Sequence, residues 1–432
     1  MRILKDHPLR YDLSNELHAR PSPEISGAGQ VIYFAISADD GPDAARNKLE
    51  ELLDKYGETR PSGEANHYYG SLGRHKLKWE MHSEFATYTL FIDGHGEVGD
   101  DKGFDGNPMQ NFPEDWRASV KGGIITSAHV RVEMEQTEAD VEQRVDGEIR
   151  NWFVGSSLAA AYTLDRNVVV AGDFRIDESG NIRFAVIGVG EVSVRRMGRI
   201  VQRLLEIETY KTMAMLTLPV ARNVFAKAGP LDAQLSKIME QMTNRTEDPA
   251  PMLEQLLDVS AEIEVLSSTS AFRFGAGRAY RALVDQRISV LREQRINDRQ
   301  LFSEFMMRRF DPAMRTCKAA ERRLDGLSKQ AARASELLGT RVNVATTEQN
   351  RQLLESMNKR AALQMRLQET VEGLSVVAVS YYAVNLLVYL TGPLAKVYAV
   401  EKTYLAAAFV PPVMLAVWLL VRRIKARVGG DE

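Results

Sequence analysis

The chain of 432 residues carries 55 Lys and Arg against 58 Asp and Glu, a formal net charge of −3, with a pI near 6.2; this balance excludes a generally basic nucleic-acid binder. Its single cysteine, Cys317, excludes an intramolecular disulfide and agrees with a reducing compartment. The length accommodates a globular domain, a separate helical region and a short apolar C-terminal region.

Residues 1–191 read as an α+β or α/β domain placed in the cytoplasm, because Met1 to Pro8 contain no apolar h-region and no secretory signal is expected. Val31 to Ile36 predicts a strand. Asp40-Gly41-Pro42-Asp43 then opens a helix whose Leu49, Leu52, Leu53 and Tyr56 recur at helical spacing before Gly57 stops it. Further strands are expected at Leu77 to Met81, Phe85 to Ile92, Ile124 to Val132 and Asn167 to Phe174. A turn at Asp177-Glu178-Ser179-Gly180 leads into a strand at Ile182 to Ile187, and a helix is expected at Glu138 to Trp152.

Residues 192–373 read as a helical region and stalk. Met197, Ile200, Val201, Leu204, Leu205, Met213 and Leu216 predict one long helix from Val194 to Ala226, kinked or ended at Pro219. Tyr280, Val284, Ile288 and Leu291 form one apolar stripe, and Leu354, Met357, Ala361 and Met365 form another. With no proline between Pro312 and Pro393, one helix is expected from about Arg341 through Gly373, roughly fifty residues or about 75 Å. Its narrow stripe calls for coiled-coil self-association or for antiparallel packing against Leu253 to Phe310.

Residues 374–421 contain two apolar segments, 374–391 and 403–421, each about long enough to cross ~30 Å of hydrocarbon. Lys359, Arg360 and Arg366 precede the pair, and Arg422, Arg423, Lys425 and Arg427 follow it, while the loop between holds only Lys396 and Lys402. The positive-inside rule then predicts a multi-pass hairpin in the lipid bilayer of the bacterial inner (cytoplasmic) membrane, with both termini and the tail 422–432 in the cytoplasm.

Within the first segment Tyr381, Asn385, Val388 and Gly392 share one helical face, a candidate pore lining or helix contact. Neither segment holds an interior charge, the strongest mark of an ion pathway. In the N-terminal region His82 and Glu84, two apart on a strand, would face one side and are candidates for a metal or a general base. No His-Glu-x-x-His motif accompanies them, so no enzyme activity is expected, and no cofactor is specified. His18 and Arg20 are candidates for partner or anion contact through the arginine fork. Gly188-Val189-Gly190 follows a strand and precedes a helix, the context of a phosphate turn, but Ser193 replaces the third glycine. Gly275-Ala276-Gly277 lies between helical stretches and is a weaker match.

Several segments carry a family resemblance: His7-Pro8-Leu9-Arg10, Asn15-Glu16-Leu17-His18-Ala19-Arg20-Pro21, Trp79-Glu80-Met81-His82-Ser83-Glu84-Phe85, Gln202-Arg203-Leu204-Leu205-Glu206-Ile207-Glu208-Thr209-Tyr210 and Thr370-Val371-Glu372-Gly373-Leu374-Ser375. Through them the chain resembles a bacterial family of membrane-anchored proteins built on a domain of unknown function, over nearly its whole length. The layout is also similar to CorA-type magnesium channels, pentamers whose first membrane helix ends in Gly-Met-Asn. Here Gly392 is followed by Pro393, so that hallmark is absent. The expected function is a membrane-anchored, oligomeric protein with a cytoplasmic interaction or sensing domain; the alternative is a divergent CorA-like channel or transporter.

Overall fold

The β-branched and aromatic run Gly29–Ser37 forms β1, a strand paired on both sides. The computed structural model describes residues 5–11, 13, 14, 23–61, 63, 65–94, 104, 107–244, 247–397 and 401–428, with the side chains of 393–397 and 424–428 excluded. Two units divide the chain: residues 1–247 with 254–335, and residues 248–253 with 336–432.

In the first unit, helix α1 (Pro42–Tyr56) starts on a proline and ends on Gly57 at φ 68°, the left-handed cap that glycine adopts without a Cβ clash. Strands β2 (His67–Leu72), β3 (His75–Met81) and β4 (Phe85–Asp93) follow as an antiparallel meander, with β4 returning against β1. Ile32, Phe34 and Ile36 of β1 then meet Leu77, Trp79 and Tyr88 beneath Leu49, Leu52 and Leu53 of α1. A short helix α2 (Glu114–Ser119) closes this core with Trp116, whose indole N–H donates to Lys48 O at 2.8 Å. Each such large side chain contributes about 1.5–3 kcal/mol by leaving water.

The second half repeats the plan: β5 (Ile124–Glu135), two short helices α3 (Glu138–Asp146) and α4 (Glu148–Asn151), then β6 (Ala159–Thr163), β7 (Val168–Ile176) and β8 (Ile182–Val189). With the two-residue β9 (Gln294–Arg295), the sheet order is β2-β3-β4-β1-β5-β8-β7-β6-β9. The order of the first eight strands is a palindrome about the β1–β5 pair. Strand direction breaks the symmetry, since β4 runs antiparallel to β1 whereas β8 runs parallel to β5. Beneath α3, Arg144 bridges Glu133, Glu135 and Glu148, while Arg131 pairs with Glu133 and lies 4.7 Å from the Trp152 ring centre.

The expected helix over 138–152 is two pieces, because Gly147, whose N–H still bonds Gln143 O, turns the chain away at φ −97° and ψ −99°. The expected helix over 194–226 also differs. Helix α5 (Val194–Met215) ends at Leu216, and α6 (Thr217–Thr243) starts anew with Pro219 in its first turn, where a missing N–H costs little. Helices α7 (Pro249–Leu291) and α8 (Phe302–Val397) follow. Tyr280, Val284 and Leu291 are buried as the stripe predicts. Gly277 of α7 lies so near Thr217 that a Cβ there would stand 2.2 Å from Oγ1; this glycine serves close packing, not a phosphate.

In the second unit, α8 continues unbroken to Val397, and α9 (Lys402–Val428) carries Pro411 and Pro412 in its interior without ending. Each of the two contains a stretch long and apolar enough to cross a membrane, with mean hydropathy 1.7 and 2.1. Val384 of α8 packs with Val413 and Val417 of α9. Leu354, Met357 and Met365 are exposed.

Candidate functional site

The alternation His-Lys-Leu-Lys-Trp-Glu-Met in β3 sends Leu77, Trp79 and Met81 into the core and leaves Lys78 and Glu80 on the opposite face. That face is covered: α5 lies across it, and between them is a cavity of about 210 Å³. It is larger than the ~150 Å³ apolar cavity that takes up benzene, and its polar walls suit water or a polar guest instead.

Its walls come from three directions. Strands β1, β3 and β4 supply Tyr33, Lys78, Glu80, Phe85, Thr87, Thr89 and Phe91. Helix α5 supplies Val201, Gln202, Leu205, Glu206, Thr209 and Tyr210. Pro23, His82 and Arg287 complete the lining. Pro23 is set by Gly198 of α5, where a Cβ would meet Pro23 O at 1.7 Å; only glycine lets the two backbones pass.

Hydrogen bonding fixes most of the polar groups. The buried Tyr33 hydroxyl and Thr209 Oγ1 are 2.6 Å apart, and Thr209 donates to Leu205 O at 2.8 Å, which leaves Tyr33 as the donor to Thr209. Burial pushes the Tyr33 hydroxyl far above its ordinary range, so it stays protonated. Gln202 donates through Nε2 to Glu206 Oε1 at 2.8 Å, and Glu206 also pairs with Arg287 of α7.

Two polar atoms of wall residues are left over. Lys78 Nζ, on a side chain 5% exposed, stands 3.1 Å from Glu80 Oε2 as an ion pair but makes no hydrogen bond. Gln202 Oε1 is buried and accepts none. A buried acceptor without a partner costs about 1–3 kcal/mol, which a guest that donates to it recovers.

The sequence candidates fall out differently. His82 and Glu84 lie in the turn between β3 and β4, not on a strand, and do not form the expected same-side pair. His82 stacks on Phe85 at 4.4 Å and lines the cavity. Glu84 turns to α7, where Arg273 and Tyr280 occupy its carboxylate. No cluster of three or more His, Cys, Asp or Glu able to hold a metal occurs among the described residues. His18 and Arg20 lie outside the described residues. Tyr381 is exposed while Asn385, Val388 and Gly392 are half-buried, and Val388 packs against the Val384 cluster. Gly188 packs on Met134 and Gly190 turns at φ 63°, a connection into α5. Cys317 is buried, and burial pushes its thiol up.

Sequence reasoning missed Tyr33, Lys78, Gln202, Glu206 and Arg287 as a group. A signal was nevertheless present, because two of the segments that carry the family resemblance, 79–85 and 202–210, meet at this cavity and supply Glu80, His82, Phe85, Gln202, Leu205, Glu206, Thr209 and Tyr210 to its walls.

A family model described as a protein of unknown function (DUF3422) matches residues 5–428. No curated protein matches the chain.

Proposed function

The chain belongs to the DUF3422 family, and we propose that it is a membrane-anchored, self-associating protein whose sheet domain acts as a sensing module by holding a small polar ligand between the sheet and α5. The observation that carries this reading is Gln202 Oε1, buried without a hydrogen-bond partner, together with the buried Lys78 ammonium, whose described contact is the Glu80 ion pair, in one polar cavity. Buried polar groups otherwise find partners in folded proteins. The fitting guest offers an acceptor to the ammonium and a donor to the amide oxygen. The reading is one of binding without turnover.

Anchoring rests on the apolar stretches of α8 and α9. The Trp418 ring lies 5.2 Å from the Arg422 guanidinium, an aromatic and cationic pairing suited to the bilayer interface. Arg422 and Arg423 at one end, and Lys359, Arg360 and Arg366 before the apolar stretch of α8, favour a cytoplasmic location for the sheet domain, anchored at the inner membrane of a bacterium. Self-association is supported by the exposed Leu354, Met357 and Met365. The CorA-like channel reading gains no specific observation from Tyr381, Asn385, Val388 and Gly392.

Native mass spectrometry of the intact, detergent-released protein tests the ligand. A small-molecule adduct is expected on the wild type, and Lys78→Met is expected to weaken its retention roughly 10- to 100-fold, the worth of a hydrogen bond to a charged group. Absence of any adduct, together with no thermal stabilisation across a panel of polar metabolites, would overturn the reading.

A further inference from the structure

We propose that the seam between α5 and α7 is a binding site for a phosphate group, gripped by Arg203 together with Arg199, Arg287 and Arg292. The site does not depend on a ligand in the neighbouring cavity, although Glu206 and Arg287 belong to both.

Arg199, Arg203 and Glu206 are spaced by four and three residues on α5 and therefore share one face. Glu206 pairs with Arg287, which brings α7 against that face. Arg292, just beyond the end of α7, pairs with Asp165 at 3.3 Å. The carboxylates paired with these arginines are both engaged: Glu206 by Arg287 and Gln202, Asp165 by Arg292.

Arg203 is the unmatched member. It is half-buried, makes no ion pair or hydrogen bond with the described residues, and its Nη1 is buried without a partner. Burial opposes its charge, as do Arg199, Arg287 and Arg292, with Glu206 the one opposing influence. Arginine does not escape such a position by losing its proton, because its pKa exceeds 12. An anion relieves it.

The excess of positive charge around Arg203 suits a phosphate or phosphomonoester, which carries about −1.5 to −2 at neutral pH and offers three oxygens. A single carboxylate would satisfy one fork. A lipid phosphodiester presents the same oxygens with one charge, so the source of the phosphate is a matter for the experiment.

The test uses the full-length protein in maltoside micelles at constant ionic strength. One arm titrates inorganic phosphate; the other adds phosphatidylglycerol with no free phosphate. The expected result is a saturable rise in Tm with inorganic phosphate that disappears in Arg203→Met. That variant should also melt above the wild type when phosphate is absent, since it removes an unpaired, half-buried charge while keeping the apolar stem. Arg199→Gln, altering an exposed residue, should weaken phosphate binding several-fold. A response confined to phosphatidylglycerol and lost in Arg203→Met keeps the site and assigns its phosphate to lipid. No saturable rise in either arm, a rise that survives Arg203→Met, or a lower phosphate-free Tm in that variant overturns the proposal.

Discussion

Glu84 and Arg273, 189 positions apart, close a two-point ion pair: Nη1 and Nη2 of the guanidinium lie 2.7 and 3.2 Å from the two carboxylate oxygens. Tyr280 donates to the same carboxylate at 2.9 Å. The clasp ties the β3–β4 turn, and with it His82 and Phe85 at the cavity, to α7. Both charged side chains are more than four-fifths buried, so solvent screens them little. Arg273→Ala leaves a buried carboxylate with the tyrosine alone and is expected to cost about 3 kcal/mol. Thermal unfolding should register a Tm loss of roughly 4 °C. Tyr280→Phe should cost about 1 kcal/mol.

The clasp also sets a pH dependence. Burial first, and the Glu84 carboxylate next, push the Tyr280 hydroxyl up to about 12. Its ordinary value is about 10, so the folded state holds the proton more tightly than the unfolded state does. The stability it contributes is complete below pH about 10, declines between about 10 and 12, and is lost above. Denaturant titrations across this window should show a fall in unfolding free energy that is shallower in Tyr280→Phe. Equal slopes for the two proteins would count against the assignment.

Gly198→Ala should destabilise the first unit by about 1–3 kcal/mol, the usual cost of overpacking, because its Cβ would collide with the Pro23 carbonyl. Gly326 of α8 provides the contrast: nothing lies within 4 Å of the point where a Cβ would stand, and alanine there should stabilise by about 0.5–1 kcal/mol. Chemical denaturation of the two variants side by side checks both signs. Displacement of Pro23 should also weaken whatever the cavity holds.

Leu354, Met357 and Met365 are 60%, 56% and 63% exposed, an apolar stripe at helical spacing. Leu354→Glu combined with Met365→Glu should shift the wild-type oligomer to monomer in native mass spectrometry. A wild-type monomer would remove the basis for self-association through α8.

What the sequence disclosed follows locality. The strands β1, β3, β4, β5, β7 and β8 combine β-branched or aromatic residues with turn signals beside them, and the apolar stretches of α8 and α9 announce themselves by composition. Strand β6 was hidden because Ala159-Ala160-Ala161 has weak strand preference, and it is held by β7, β9 and full burial. The end of α5 was misplaced because Pro219 tolerates a helix start as well as it forces a helix end. The cavity was illegible for a different reason. Lys78 and Glu80 alternate with apolar residues as a solvent-facing edge of β3 would, and only long-range packing reveals that α5 covers them. Glu84 shows the same limit, since its partners lie on a helix far along the chain.

Membrane anchoring with the sheet domain on the cytoplasmic side is the claim on which the rest of the account stands, and site-directed labelling with a membrane-impermeant maleimide tests it most directly. In a Cys317→Ser background, cysteines are placed singly at Ser179 in the turn before β8, at Lys402 at the start of α9, and at Arg423 at the end of the apolar stretch of α9. In intact spheroplasts the Lys402→Cys protein should label, whereas Ser179→Cys and Arg423→Cys should label only in inverted vesicles. Labelling of Ser179→Cys from the outside, protection of Lys402→Cys there, or release of the protein from membranes by alkaline carbonate would contradict the account.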